Sequence, residues 1–125
     1  MSALRLFMVA GEASGDLLAR EVVQAIRRET DDVEFAGIGG QELASVGIHS
    51  PFDISSLSIL GFAEGIRAYG TVVKLADAAA DAIVAFKPDA VVLVDSWGFM
   101  LRVAQRVRTR APEIKLIKLI GPQVW

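Results

Sequence analysis

Short apolar runs and helically spaced apolar positions alternate along almost the whole chain. Leu4 to Ala10 is an apolar run of strand length. After a turn over Gly11 to Asp16, Leu17 to Glu29 places Leu18, Val22, Val23 and Ile26 at helical spacing. Val33 to Ile38 predicts a second strand in a glycine-rich setting of Gly37, Gly39 and Gly40. A short helix over about Gln41 to Ser45 follows, with Gly47 placed to cap it. Ile48 to Phe52 predicts a brief third strand, and Asp53 to Gly61 a loop. A long helix is expected from about Phe62 to Phe86. Ala90 to Val94, almost wholly β-branched or apolar, reads as a central parallel strand. A helix from about Phe99 to Thr109 and a last strand from Ile114 to Ile120 complete the pattern.

Strands separated by helices with short connections imply an α/β fold, a doubly wound parallel sheet with helices on both faces. In such sheets ligands bind outside the carboxyl ends of the strands. The loops expected to share that edge are Gly11–Asp16, Gly37–Gln41, Asp95–Gly98 and Gly121–Trp125. Length changes this picture little: 125 residues fit one domain. The apolar fraction of 53% sits slightly above the ordinary globular range, as strands buried on both faces or a partner-covered surface would require. A formal net charge of −2 gives no long-range attraction to nucleic acid. The absence of cysteine excludes disulfides and thiolate metal sites and fits a cytoplasmic protein. No apolar run approaches the ~20 residues of a membrane-spanning helix, so the expectation is a soluble protein or one resting on a membrane surface.

The first loop, Gly11-Glu12-Ala13-Ser14-Gly15-Asp16, combines glycines that permit a sharp turn with amides free at a helix amino terminus. Glu12 is a candidate sugar ligand or base. The competing reading is that Ser14 or Asp16 simply caps the helix. The spacing fits neither a dinucleotide fingerprint nor a nucleophile elbow. Gly39 and Gly40 allow close approach of a ligand, or form a plain turn. Leu57, Ile59, Leu60 and Phe62 crowd a segment where loops are normally polar, which an apolar acceptor or core packing would each explain. Asp95 directly follows the central strand and is either a cap or a functional carboxylate, with Ser96, Trp97 and Phe99 beside it. Aromatic faces pack well on sugars and lipids. His49 reads as a core or surface residue, the pairs Asp77 and Asp81 and Asp31-Asp32 read as solvated surface, and no metal site is expected.

Taken in order, five segments resemble the lipid A disaccharide synthase family. They are Ala10-Gly11-Glu12-Ala13-Ser14-Gly15-Asp16, Gly37-Ile38-Gly39-Gly40, Leu57 to Glu64, Lys87-Pro88-Asp89 with Asp95-Ser96, and Gly121-Pro122-Gln123-Val124-Trp125. The resemblance covers nearly all of the chain. It implies the Rossmann-like amino-terminal, acceptor-side domain of a B-type inverting glycosyltransferase. Residues 1–125 would form that single domain, ending inside a motif, with the carboxyl-terminal UDP-sugar domain absent and the chain inactive alone.

The implied reaction transfers 2,3-diacylglucosamine from its UDP derivative to 2,3-diacylglucosamine 1-phosphate. It releases UDP and makes a β-1,6-linked disaccharide without metal or cofactor. The implied location is the cytoplasmic face of the inner membrane, as a peripheral protein, with Ile59, Leu60 and Phe62 as acyl-chain or membrane contacts. Carried onto this chain, Asp95 and Glu12 are the catalytic candidates. Ser14, Gly15, Asp16, Gly39, Gly40, Ser96 and Trp97 are the substrate-binding ones, and Asp89 matches a further acidic position. One departure stands out: many members read Asp-x-Pro-Asp-Phe where this chain has Asp95-Ser96-Trp97-Gly98-Phe99, so Gly98 replaces a favoured base and Asp95 or Glu12 would take its role. The alternatives are a flavodoxin-like or nucleotide-binding module without transferase activity, and a noncatalytic lipid-binding module.

Overall fold

The computed structural model describes residues 3–54, 66–94 and 97–120, without the side chains of residues 66–69 and 97. The described elements are β1 (Leu4–Ala10), α1 (Ala13–Glu29), β2 (Val33–Ile38), α2 (Gln41–Ser45), α3 (Ile66–Phe86), β3 (Ala90–Val94), α4 (Trp97–Arg110) and β4 (Lys115–Leu119). The four strands form one parallel sheet in the order β2-β1-β3-β4. This is the α/β, doubly wound arrangement that the alternation predicts, Rossmann-like as the resemblance implies.

The two central strands are the most apolar because both of their faces are covered. Along β1, Phe7 and Val9 point into one layer and Met8 and Ala10 into the other; along β3, Val91 and Leu93 alternate with Val92 and Val94 in the same way. The first layer holds Ala76, Ala79, Ala80 and Ile83 of α3 with Met100, Val103 and Val107 of α4. The second holds Ala19 and Val23 of α1 with Leu43 of α2. Period two in the strands and a helical stripe on each cover are what makes this a two-sided core. The outer strand β4 is half open, with Ile117 exposed, and an apolar groove lined by Leu101, Ala104 and Leu116 runs beside it.

Local chemistry sets the element ends. The Gly47 N–H donates to the Ala44 carbonyl and the Ile48 N–H to the Leu43 carbonyl, a paired closure of α2 that needs Gly47 at φ +86. The expected third strand over Ile48 to Phe52 does not form. The turn drives Ile48 into the layer beneath α1 and α2, His49 is exposed, and the Ser50 hydroxyl donates to the Phe52 carbonyl in a local bend. Gly37 is glycine for a different reason: a Cβ there would lie 2.8 Å from the Met8 carbonyl oxygen of β1.

At the amino ends of the strands, Arg5 donates to the Phe86 carbonyl, lies over the Phe86 ring and pairs with Glu34. Asp77 and Asp81 are not simply solvated. Asp77 pairs with Arg106 at 2.5 Å and Asp81 with Arg110, tying α3 to α4. These groups are partly exposed, so the pairs contribute little stability.

Candidate active site

The winding direction of the sheet reverses between β1 and β3. From β1 the chain steps out to β2, then crosses over to β3 on the other side of β1. At such a reversal the flanking connections leave the carboxyl edge in opposite directions and open a crevice, the usual ligand position in this fold class. Ala10 and Val94 are register partners at that edge. Glu12 stands two residues beyond Ala10, and Asp95 follows Val94 in sequence.

Glu12 is the residue before α1. Its backbone is extended, at φ −154 and ψ 168, its carbonyl accepts the Asp16 N–H at 2.9 Å, and its exposed side chain makes no capping bond. The carboxylate therefore stands at the rim next to the amino terminus of α1, where main-chain N–H groups lack intrahelical partners. Ser14, Gly15 and Asp16 are already inside the first helical turn, so neither Ser14 nor Asp16 caps α1. Ser14 is exposed. Gly15 is buried against β3, where a Cβ would sit 3.4 Å from the Val94 carbonyl oxygen. The start of α1 thus packs closely on the strand that leads to Asp95.

Asp16 caps a different helix. It is 4% exposed, its Oδ2 accepts the Glu42 N–H at 2.9 Å, and its Oδ1 accepts the Leu43 N–H at 3.0 Å. Gly40, at the N-cap of α2, has no side chain to satisfy those donors, and the carboxylate from α1 takes that place. The carboxylate also crowds the two glycines: a Cβ on Gly40 would lie 2.8 Å from Asp16 Oδ2, and one on Gly39 would lie 2.6 Å from Leu43 Cδ1 and 2.9 Å from Asp16 Oδ1. Arg20 of α1 pairs with Glu42 of α2 beside this contact. The sequence carried one signal for it, a short helix preceded by glycines and lacking a cap of its own, which must find acceptors elsewhere.

The structure brings together Glu12, Ser14, Gly15, Asp16, Gly39 and Gly40 along the carboxyl edge of β1 and β2. Asp89 is at the opposite end of the sheet, where its carboxylate accepts the Arg5 N–H at 2.8 Å. Asp95, Ser96, Ile59, Leu60 and Phe62 lie outside the described residues, and Trp97 is described only as the first residue of α4. Gly98 is exposed, and among the described residues a Cβ there would meet nothing nearer than Arg102 Nη1 at 3.8 Å. The backbone therefore does not require glycine where many family members carry aspartate. Among the described residues no three His, Asp or Glu side chains converge to hold a metal ion.

A doubly wound parallel sheet with a glycine-rich, acidic rim at its reversal point defines the class, a Rossmann-like domain with its ligand edge at the carboxyl ends of the strands. Residues 6–125 match the lipid-A-disaccharide synthetase family, and the chain belongs to that family. It is 40% identical over 125 residues to a lipid-A-disaccharide synthase of Nitrobacter hamburgensis, covering 99% of this chain and 32% of that protein. It is also 40% identical over 122 residues to one of Rhodopseudomonas palustris, covering 97% of this chain and 31% of the relative. A Xanthomonas campestris lipid-A-disaccharide synthase is 36% identical over 125 residues, covering all of this chain and 28% of the relative. The chain thus spans about a third of the length of the curated relatives it matches.

Proposed function

We propose that this chain is the acceptor-side part of a glycosyltransferase that joins two acylated glucosamine units. The donor is UDP-2,3-diacylglucosamine, the acceptor 2,3-diacylglucosamine 1-phosphate, and the products are the lipid A disaccharide and UDP. The observation that carries this reading is the exposed, uncapped Glu12 carboxylate at the strand reversal, beside the strand end that precedes Asp95. Family membership and the printed names of the relatives support it.

The chemistry needs a proton acceptor and a stabilised leaving group. As the acceptor 6-hydroxyl oxygen bonds to C1 of the donor, the bond from C1 to the diphosphate breaks, and a carboxylate takes the hydroxyl proton. Asp77, Asp81, Asp89 and Asp16 are all engaged elsewhere. Glu12 is an exposed carboxylate at the rim that makes no capping bond, and we assign the proton to it, with Asp95 as its competitor. The departing diphosphate requires positive charge or helix amino termini, which this reading places mainly on a carboxyl-terminal domain. Ser14, Ser96 and Trp97 are assigned to the acceptor sugar. A full-length enzyme carrying this segment is expected to release UDP when given both lipids, and the 125-residue chain alone is expected to release none. UDP release by the 125-residue chain would refute the assignment of half the site to another domain.

Acylated substrates call for a membrane-facing patch, which we assign to Ile59, Leu60 and Phe62 on the cytoplasmic side of the inner membrane. No helix among the described residues is long and apolar enough to cross a membrane, and the contact assigned to this patch is peripheral. Changing these three residues to serine is expected to abolish flotation of the protein with liposomes. Unaltered flotation would mean that the cluster belongs to the core.

A further inference from the structure

The contact between Asp16 and α2 assigns that carboxylate a specific task. We propose that Asp16 is a positioning residue, fastening the Gly39–Gly40 turn to the first turn of α1 and thereby fixing the rim on which Glu12 stands. The inference rests on the glycosyl-transfer reading of the same edge and deepens it.

Three observations converge. Asp16 is 4% exposed, so it offers a substrate almost no surface. Its two oxygens each accept a main-chain N–H from a segment about 26 residues away in sequence, at 2.9 and 3.0 Å. At Gly40 a side chain would collide first with that carboxylate, and at Gly39 with both Leu43 and the carboxylate. A buried side-chain carboxyl that accepts two main-chain N–H bonds leaves both donors stranded when it is removed. The two loops then lose their common fastening. Because the Glu12 carbonyl accepts the Asp16 N–H at 2.9 Å, the displacement of Asp16 passes directly to the residue that presents the proposed base.

The test compares Asp16→Asn, Asp16→Ala and Gly40→Ala in the full-length enzyme, with kcat expressed per folded molecule and KM measured for both lipids. Amide exchange at Glu42 and Leu43 is followed in the same proteins. We expect kcat to fall at least about tenfold, a barrier increase of about 1.4 kcal/mol, with Asp16→Ala worse than Asp16→Asn. KM for the donor lipid is expected to stay within about twofold, while KM for the acceptor rises only in step with amide exchange, because Ser14 shares the loosened turn. Exchange at Glu42 and Leu43 should accelerate in the same order.

Gly40→Ala, which pushes a methyl group against Oδ2 while leaving Asp16 in place, should reproduce the effect. Combined with Asp16→Asn it should cost no more than the worse single change. If the Asp16 variants do not fold, Gly40→Ala carries the test. A KM for one lipid raised about tenfold or more, with both amides still protected, would make Asp16 a substrate ligand and overturn the proposal. Accelerated exchange with kcat untouched would overturn it equally. A wild-type enzyme that releases no UDP would defeat the glycosyl-transfer reading and the positioning role with it, while the exchange data would still decide whether the fastening exists.

Discussion

Glu12→Gln in the full-length enzyme is expected to lower kcat by about two to four orders of magnitude, the range a positioned general base contributes. The substitution keeps the shape of the side chain. Because Glu12 is exposed and makes no capping bond, it should leave the fold undisturbed. Asp95→Asn is the necessary comparison, since Asp95 follows β3 beside β1 at the same edge. A larger loss in Asp95→Asn than in Glu12→Gln would transfer the proton-accepting role to Asp95. A third variant addresses the departure from the family pattern. Gly98→Asp has room among the described residues, where the nearest atom to a new Cβ is 3.8 Å away. If Glu12 is the base, Gly98→Asp does not rescue Glu12→Gln; rescue would show that an aspartate at that position can do the same work.

The largest effect on stability is expected from Ile83→Ala. Ile83 is fully buried where α3 meets β1 and β3, among Phe7, Val9, Val91 and Leu93. Truncation removes the transfer free energy of the lost atoms and leaves a void, together costing about 2–5 kcal/mol. That is a large share of the roughly 5–15 kcal/mol that holds a typical domain folded. A thermal midpoint lowered by on the order of 10 °C is expected for such a loss. Ile117→Ala on the open strand β4 is the control, expected to change stability by less than about 0.5 kcal/mol. Urea-unfolding midpoints of the two variants check both figures. A shift below about 1 kcal/mol in Ile83→Ala would contradict the packing of α3 on the sheet.

How far the sequence could be read depended on whether the signal was local. β1, β2, α2 and β3 have the bounds that apolar runs and glycines predict. α1 begins at Ala13 rather than Leu17, because Ala13, Ser14, Gly15 and Asp16 are small or polar and carry no apolar stripe, although their backbone is helical. α4 begins at Trp97 rather than Phe99, and β4 is limited to Lys115–Leu119, the residues that pair with β3. Ile48, Ser50 and Phe52 alternate as a strand would, but a strand exists only where a neighbour accepts its hydrogen bonds. The closure of α2 through Gly47 directs the chain into a bend instead.

The candidate site divides in the same way. Glycines, acidic residues and their order along the chain located the candidate loops, and the alternation of strands and helices predicted one edge for them, where Gly11–Asp16 and Gly37–Gln41 lie. The sequence by itself therefore determined the fold class, the candidate edge and the family pattern of its loops. Only the tertiary structure separated Asp16 from Glu12, two acidic residues four positions apart in one motif. One carboxylate faces the buried amino terminus of α2 and the other faces out at the rim. It also sent Asp89 to the far end of the sheet and gave Asp77 and Asp81 arginine partners. The physical reason is common to all of these: periodicity and turn chemistry are properties of neighbours in sequence, whereas the partner of a carboxylate is set by chain segments that meet only after the sheet has formed.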